Sequence, residues 1–251
     1  MGKGLMSAAV AALGAVMFAE IGQAAEIMIL STNGLKTVVE ELGPQFEKAT
    51  QHKLAVRFAP AAELKAAIEK GAAFDLAILT AAGIDDLIKQ GKLAAPTRAD
   101  VAKSGAGVAI RKGAPKPDIS TAGAFKRSLL AAKSIAYVGT GATAANMQKI
   151  FERLGIAAEM KAKTRVLSGI SAPAAVAKGE AELGFTQISE ILPVAGAELA
   201  GPLPPELQIY TIFSAAVGAH AGQAAAARSF LKFLTAPAAG SVIRAKGMEP
   251  G

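Results

Sequence analysis

The side chains able to do chemistry in this chain are mostly hydroxyls and amides, and they recur in short turns. Six stretches stand out: "STNG" at 31–34, "APAAE" at 59–63, "TAAG" at 80–83, "GTGAT" at 139–143, "SGIS" at 168–171 and "TQIS" at 186–189. Each lies between an expected strand and the helix after it. In an open α/β sheet such turns fall at the carboxyl ends of the strands, where ligands bind. A helix start there offers unpaired N–H groups and a positive dipole end, and Ser or Thr adds donors without adding charge. That chemistry suits a small anion. Any one turn is equally well explained by ordinary helix capping, so the argument rests on several converging. The turn at Ser31–Gly34 is then expected to cap its own helix and to form one wall of a cleft.

Groups for covalent or acid–base catalysis are not assembled. His52 lies between an expected helix and strand, and His220 follows a strand end, so both read as surface-loop residues. Glu40 and Glu41, like Asp85 and Asp86, are neighbours on a helix and do not face each other. No His/Asp/Glu grouping has metal-ligand spacing, and neither a nucleophile elbow nor a phosphate-binding lysine loop is present. Gly139 and Gly141 lack the third glycine and the downstream acid of a dinucleotide fingerprint. The expectation is a binding protein with no catalytic residue, metal or cofactor.

The turns need a scaffold, and the pattern supplies one. From Glu26, short apolar runs alternate with helix-period segments punctuated by Gly or Pro, the signature of βαβ units. Strands are expected at Glu26–Leu30, Lys53–Phe58 and Asp75–Leu79, with helices over Lys36–Thr50, Ala62–Lys70 and "IDDLIKQGK". The rhythm changes near "GVAIRKG", restarts with a helix at Ala122–Ala132, and runs through "SIAYVG", "TAANMQKIFERLG", "KTRVLS", "APAAVAKG" and "AELGFTQ". After "GPLPPEL" come an extended "QIYTIFSAAVGAH" and two final helices, which most economically pack back on the first unit. The expected division is a first lobe of 26–106 and 210–251 and a second of 107–209.

Residues 1–25 read as a secretory signal peptide. Lys3 precedes the apolar run Leu5–Ala19, and "IGQAAE" places small residues for cleavage near Ala24 or Ala25. The chain has no Cys, which excludes disulfides, thiolate chemistry and a lipid-modified Cys tether. No later segment has membrane length, so the mature form is expected to be uninserted, and retention in the periplasm follows for an exported bacterial-type protein. The net charge of +7 steers anions. Its Lys and Arg are scattered, however, and with no Trp and two Tyr the stacking surface of a nucleic-acid groove is missing.

These stretches, with "AFDLAIL" before "IDDLIKQGKL", "GEAELGFTQISEILP" and the closing "SFLKFLTAPAAGSVIRAKGMEP", resemble extracytoplasmic solute-binding proteins of ABC importers. More narrowly they resemble the branch grouped with molybdate-binding proteins. The resemblance implies an α/β, two-lobed type II periplasmic-binding fold, each lobe a mostly parallel sheet flanked by helices. It implies hinge strands near Gly107–Arg111 and Gln208–Val217, a monomer, and a membrane permease as partner. It further implies contacts to a small anionic ligand from Ser31, Thr32, Asn33 and Gly34, from Ala61, from Thr140, Gly141 and Thr143, and from Ser171 and Gln187. Thr80, on the third turn, completes the candidate set. In the second turn similar molybdate binders carry hydroxyls, whereas this chain has Pro60, Ala61 and Ala62. Gln187 stands where those relatives place a Tyr. An organic carboxylate therefore competes with a molybdate- or tungstate-type oxyanion, although no Arg on the turns offers a bidentate clamp for several carboxylates. Other functions on the same scaffold are an exported enzyme and a ligand-sensing domain.

Overall fold

The computed structural model describes residues 24–140 and 142–251. The chain opens with β1 (Glu26–Thr32), α1 (Lys36–Thr50), β2 (Lys53–Ala59), α2 (Ala61–Glu69), β3 (Leu76–Thr80) and α3 (Ala81–Lys89). Helix α1 forms because Val38, Val39, Leu42 and Phe46 lie on one face and are buried together. It stops where Gln51 adopts a left-handed conformation, φ 64°. Helices α2 and α3 are followed by Gly71 and Gly91 at φ 90° and 69°, where an L side chain would be strained.

The 13-residue strand β4 (Ala99–Arg111) leads to α4 (Ala122–Ala131), β5 (Ile135–Val138), α5 (Ala142–Leu154), α6 (Ala157–Lys163), β6 (Thr164–Leu167) and α7 (Ala172–Ala177). Then come β7 (Leu183–Gln187), the single turn α8 (Ile188–Ile191), β8 (Ala197–Pro202), β9 (Tyr210–Val217), α9 (Ala224–Leu234), α10 (Gly240–Ala245) and β10 (Glu249–Pro250). The expected order is present, with four additions: α6, α8, β8 and β10. Strand β4 also begins eight residues before its expected start at Gly107.

Along the sheet the strands run β2-β1-β3-β9-β4-β7-β5-β6, with β8 and β10 also paired to β4. Pairs β1–β2, β1–β3, β5–β6 and β5–β7 are parallel. Strands β9 and β4 are antiparallel insertions between the two parallel groups. β4 changes partner in mid-course: Ala99–Gly105 pair with β9, and Ala106–Ala109 pair with β7.

Cores lie on both faces of the sheet. Ile27, Ile29, Phe46, Phe213, Phe230 and Leu234 form one cluster, and Leu30, Leu64, Leu79, Ile84 and Leu87 another on the opposite face of β1. A third gathers Val108, Phe125, Ile135, Met147 and Phe185. Parallel strands covered on both faces read as continuous apolar runs, as "LAIL" in β3 does.

Asp75 fastens the first group. It is buried, and its carboxylate accepts from the backbone N–H of Met28 and of Gln223, both at 2.8 Å. One side chain thereby joins β1 to the start of α9. Asp75→Ala orphans both donors and is expected to lower stability by about 2–4 kcal/mol, read by urea unfolding. A loss under about 0.5 kcal/mol would show that water replaces the carboxylate freely.

Candidate functional site

Strands β1, β3, β5 and β7 end in turns that carry most of the candidate residues. Ser31 is fully buried and its hydroxyl donates to the Thr32 carbonyl at 3.3 Å. Thr32 is also buried, and its side chain does not cap the turn that follows. A 3₁₀ turn at Asn33–Leu35 separates β1 from α1, and no side chain caps either element. This corrects the expected cap. The extra turn puts Leu35, not a hydroxyl residue, at the start of α1, which frees Ser31 and Thr32 from capping. Asn33 is exposed, while Gly34 lies flat against the buried ring of Phe213.

Ala61 is the first residue of α2, preceded by Pro60, and offers only backbone groups. Thr80 and Ser171 are ordinary caps: they accept from Gly83 N at 3.3 Å and from Ala174 N at 3.4 Å. Ser171 is exposed, and so is Thr140. Gly141 lies outside the described residues. Residues 1–23 of the expected signal peptide lie outside them too.

Thr143 and Gln187 are brought together. Both are buried, and the Gln187 amide donates to the Thr143 hydroxyl at 3.2 Å and to the Thr211 hydroxyl at 3.3 Å. Three segments thus meet at one amide: the end of β7, the start of α5 and strand β9. Adjacent groups extend the cluster. Ser104 on β4 accepts from Ser189 N at 3.4 Å, and Ser189, buried, leaves its hydroxyl unpaired. The Thr186 hydroxyl contacts both the Gln187 amide oxygen and the Glu190 carboxyl. Helix α8 also touches the 3₁₀ turn at Asn33–Leu35, so this cluster abuts the β1 turn.

Sequence reasoning named the turn "TQIS" at 186–189 but took only Gln187 from it, and it missed Ser104, Glu190 and Thr211. A signal existed for Glu190: "TQISE" places it four residues after Thr186 across a strand-to-helix turn. Thr211 could be found only from its position on β9. Of the histidines, His220 is exposed, and half-buried His52 accepts from Ala25 N at 3.1 Å, a structural role. No grouping of His, Cys, Asp or Glu able to hold a metal occurs among the described residues. No described helix is long and apolar enough to cross a membrane.

Apart from the Glu190 carboxyl at its edge, the cluster is built from neutral hydroxyls and amides. Asp75 apart, every buried polar residue described carries a hydroxyl or an amide. A cavity of about 520 Å³ lies elsewhere, at the amino ends of β1 and β3 among Gly71–Asp75, Gly218 and His220. Its lining is mostly apolar and backbone, whereas the polar groups converge at the carboxyl ends, the end of an open α/β sheet where ligands bind.

The architecture is that of type II periplasmic-binding proteins, and it aligns with the periplasmic molybdate-binding protein of Azotobacter vinelandii at a TM-score of 0.75, with 19% identity over 90% of this chain and 99% of that one. The family described as bacterial extracellular solute-binding protein matches residues 27–249, and this chain belongs to it. Among curated relatives it is 32% identical over 229 residues to an aconitate isomerase of a Pseudomonas species, covering 89% of this chain and 87% of that protein. It is 28% identical over 255 residues to the molybdate-binding protein ModA of Azotobacter vinelandii, covering 96% and 97%.

A β-carbon on Gly34 would overlap the ring of Phe213, which is buried. Gly34→Ala is therefore expected to destabilise the protein by about 1–3 kcal/mol in thermal or urea unfolding. An unchanged midpoint would mean that the turn relaxes, and that its position is not fixed by this contact.

Proposed function

We propose that this chain is the substrate-binding protein of an ABC importer, holding a small anion between two lobes and delivering it to the membrane permease. The lobes are 26–106 with 210–251, and 107–209, joined through β4 and β9. The observation that carries the reading is the Gln187 amide bridging Thr143 and Thr211. It gathers hydroxyls from separate segments beside the buried Ser31 and Thr32 turn, a set of donors suited to an anion. Contacts to both lobes let a ligand shift a hinge equilibrium toward closure. The protein acts in the periplasm as a monomer after removal of residues 1–25.

Two ligand classes fit. A molybdate- or tungstate-type oxyanion is supported by the ModA relative, and a small organic carboxylate by the lack of hydroxyls at Pro60–Ala62. A second reading, an exported isomerase of a small unsaturated carboxylic acid, is favoured by the 32% identity to an aconitate isomerase across 89% of the chain.

A thermal-shift screen with molybdate, tungstate, sulfate, phosphate and mono-, di- and tricarboxylates separates the classes. Ligand at 100 times its dissociation constant stabilises by about 2.7 kcal/mol, a shift of a few degrees for a protein of this size. Gln187→Ala is expected to weaken the responding ligand by about 1.5–3 kcal/mol, by calorimetry. Binding equal to the parent would show that the site is placed wrongly. Proton NMR of cis- and trans-aconitate incubated with the protein tests the second reading: steady interconversion at catalytic protein concentration establishes an isomerase, and unchanged spectra remove that reading.

A further inference from the structure

Beside the Gln187 bridge lies a carboxyl that the anion-binding account does not use. Glu190 sits on α8 with its carboxyl bonded to the Thr186 hydroxyl. The Thr186 hydroxyl is also 3.4 Å from Oε1 of Gln187. A continuous chain of polar groups therefore runs Glu190, Thr186, Gln187, and then Thr143 and Thr211.

Donor counting gives this chain two directions. Thr186 has one hydroxyl proton and cannot donate both to Glu190 and to Gln187. With Glu190 protonated, its O–H donates to Thr186 and Thr186 donates to the Gln187 oxygen. The Gln187 amide then spends both N–H groups on the oxygens of Thr143 and Thr211, and those two hydroxyl protons point onward. With Glu190 ionised, Thr186 must donate to the carboxylate. The Gln187 amide then turns over, donating to Thr186 and accepting from Thr143 and Thr211, so the threonines present lone pairs.

We propose that Glu190 is a positioning residue that sets the polarity of the Gln187–Thr143–Thr211 cluster, so that the cluster offers donors to an anion when Glu190 is protonated and withdraws them when it is ionised. This inference rests on the cluster being the anion site. Part of the Glu190 side chain reaches solvent, but its carboxyl end is enclosed, and burial raises its pKa while the Thr186 bond acts the other way. Charged side chains on the elements packed against α8 are engaged elsewhere or add nothing to that shift. Asp100 pairs with Arg98, Lys103 with Glu249, Glu198 with Lys116 and Lys246 with Glu41, and the remaining charges on these elements are Arg111 at the far end of β4 and Arg244 on α10. β7 and the Asn33–Leu35 turn carry no charged residue.

The test compares the parent with Glu190→Gln and Thr186→Val from pH 4.5 to 8.5, using molybdate and trans-aconitate as probes. The parent's affinity is expected to fall about tenfold relative to Glu190→Gln as pH rises, because Gln keeps a neutral donor toward Thr186. Thr186→Val, which cuts the relay and leaves Glu190 in place, should lose the same dependence. Parallel profiles for the parent and Glu190→Gln overturn the proposal. Should neither probe bind any variant, the choice of ligand class fails, and two ligand-free readings still decide the relay. The side-chain amide resonances of Gln187 should move with pH in the parent and stay fixed in Glu190→Gln. Stability should also diverge: a carboxyl whose folded pKa is raised stabilises the fold below the ordinary value of 4.5 and loses that contribution as pH rises through the folded value. The melting temperature of Glu190→Gln should accordingly gain on the parent from pH 4.5 upward until the raised value is passed. Fixed Gln187 resonances in the parent, with no such gain, reject the switch whatever the ligand.

Discussion

Strand β4 must satisfy every one of its backbone polar groups while leaving one set of neighbours for another. The exchange falls between Gly105, opposite Tyr210, and Ala106, opposite Gln187, and an unpaired buried amide there would be costly. Gln208 resolves it. Its side-chain oxygen accepts from Ala106 N at 2.9 Å and its amide nitrogen donates to the Ala106 carbonyl at 3.1 Å, the pattern a neighbouring strand would provide. Gly105 makes room, since a β-carbon there would press on the Gln208 amide. A side chain thus reinforces the backbone bonds at the residue where the two groups of strands hand over.

The same crossing explains where the polar cluster sits. Thr211 and Ser104 face each other across the β9–β4 pair, one residue from the exchange, and Gln187 is the last residue of β7 beside it. Buried hydroxyls and amides are tolerated only where they find partners, and the junction supplies them from several strands at once. Ser189, whose hydroxyl finds none, lies at this junction and nowhere in the apolar cores. Polar burial and the carboxyl-end turns therefore converge for one reason: this is where strands stop and the sheet changes partners.

How much of this the sequence announces depends on whether the determinant is local. Helix α1 is read over Lys36–Thr50, its observed span, because Val38, Leu42 and Phe46 repeat at helical spacing. The first residues of β4 are harder, since "VAKSGAG" reads as loop until β9 and β10 are known to flank it, with Lys103 pairing Glu249 at 2.8 Å. β8 is missed for a similar reason: "AELAGP" gains its strand character only by pairing with β4. Turn chemistry divides likewise. Thr80 and Ser171 cap as their local pattern says, while Ser31 and Thr32 do not, because the close packing of Gly34 on Phe213 inserts a 3₁₀ turn that no local rule predicts. The Gln187–Thr143–Thr211 bridge joins residues 44 and 24 positions apart, which only the fold can bring together.

The composition of the cluster has its own consequence for selectivity. With +7 of net charge spread over the chain and no basic side chain among the buried polar groups of the described residues, long-range attraction and short-range recognition would fall to different residues in the proposed site. Surface charge raises the arrival rate of any anion and does not distinguish between them. In the proposed site, discrimination would be left to neutral donors, each of which would hold an acceptor at a set position and leave a desolvated group unpaired if the acceptor were displaced. A small anion whose oxygens match those positions satisfies the cluster. A flexible polyanion would have to match them without a guanidinium to take up its second carboxylate, so the direction in which Thr143 and Thr211 point decides more than the net charge does.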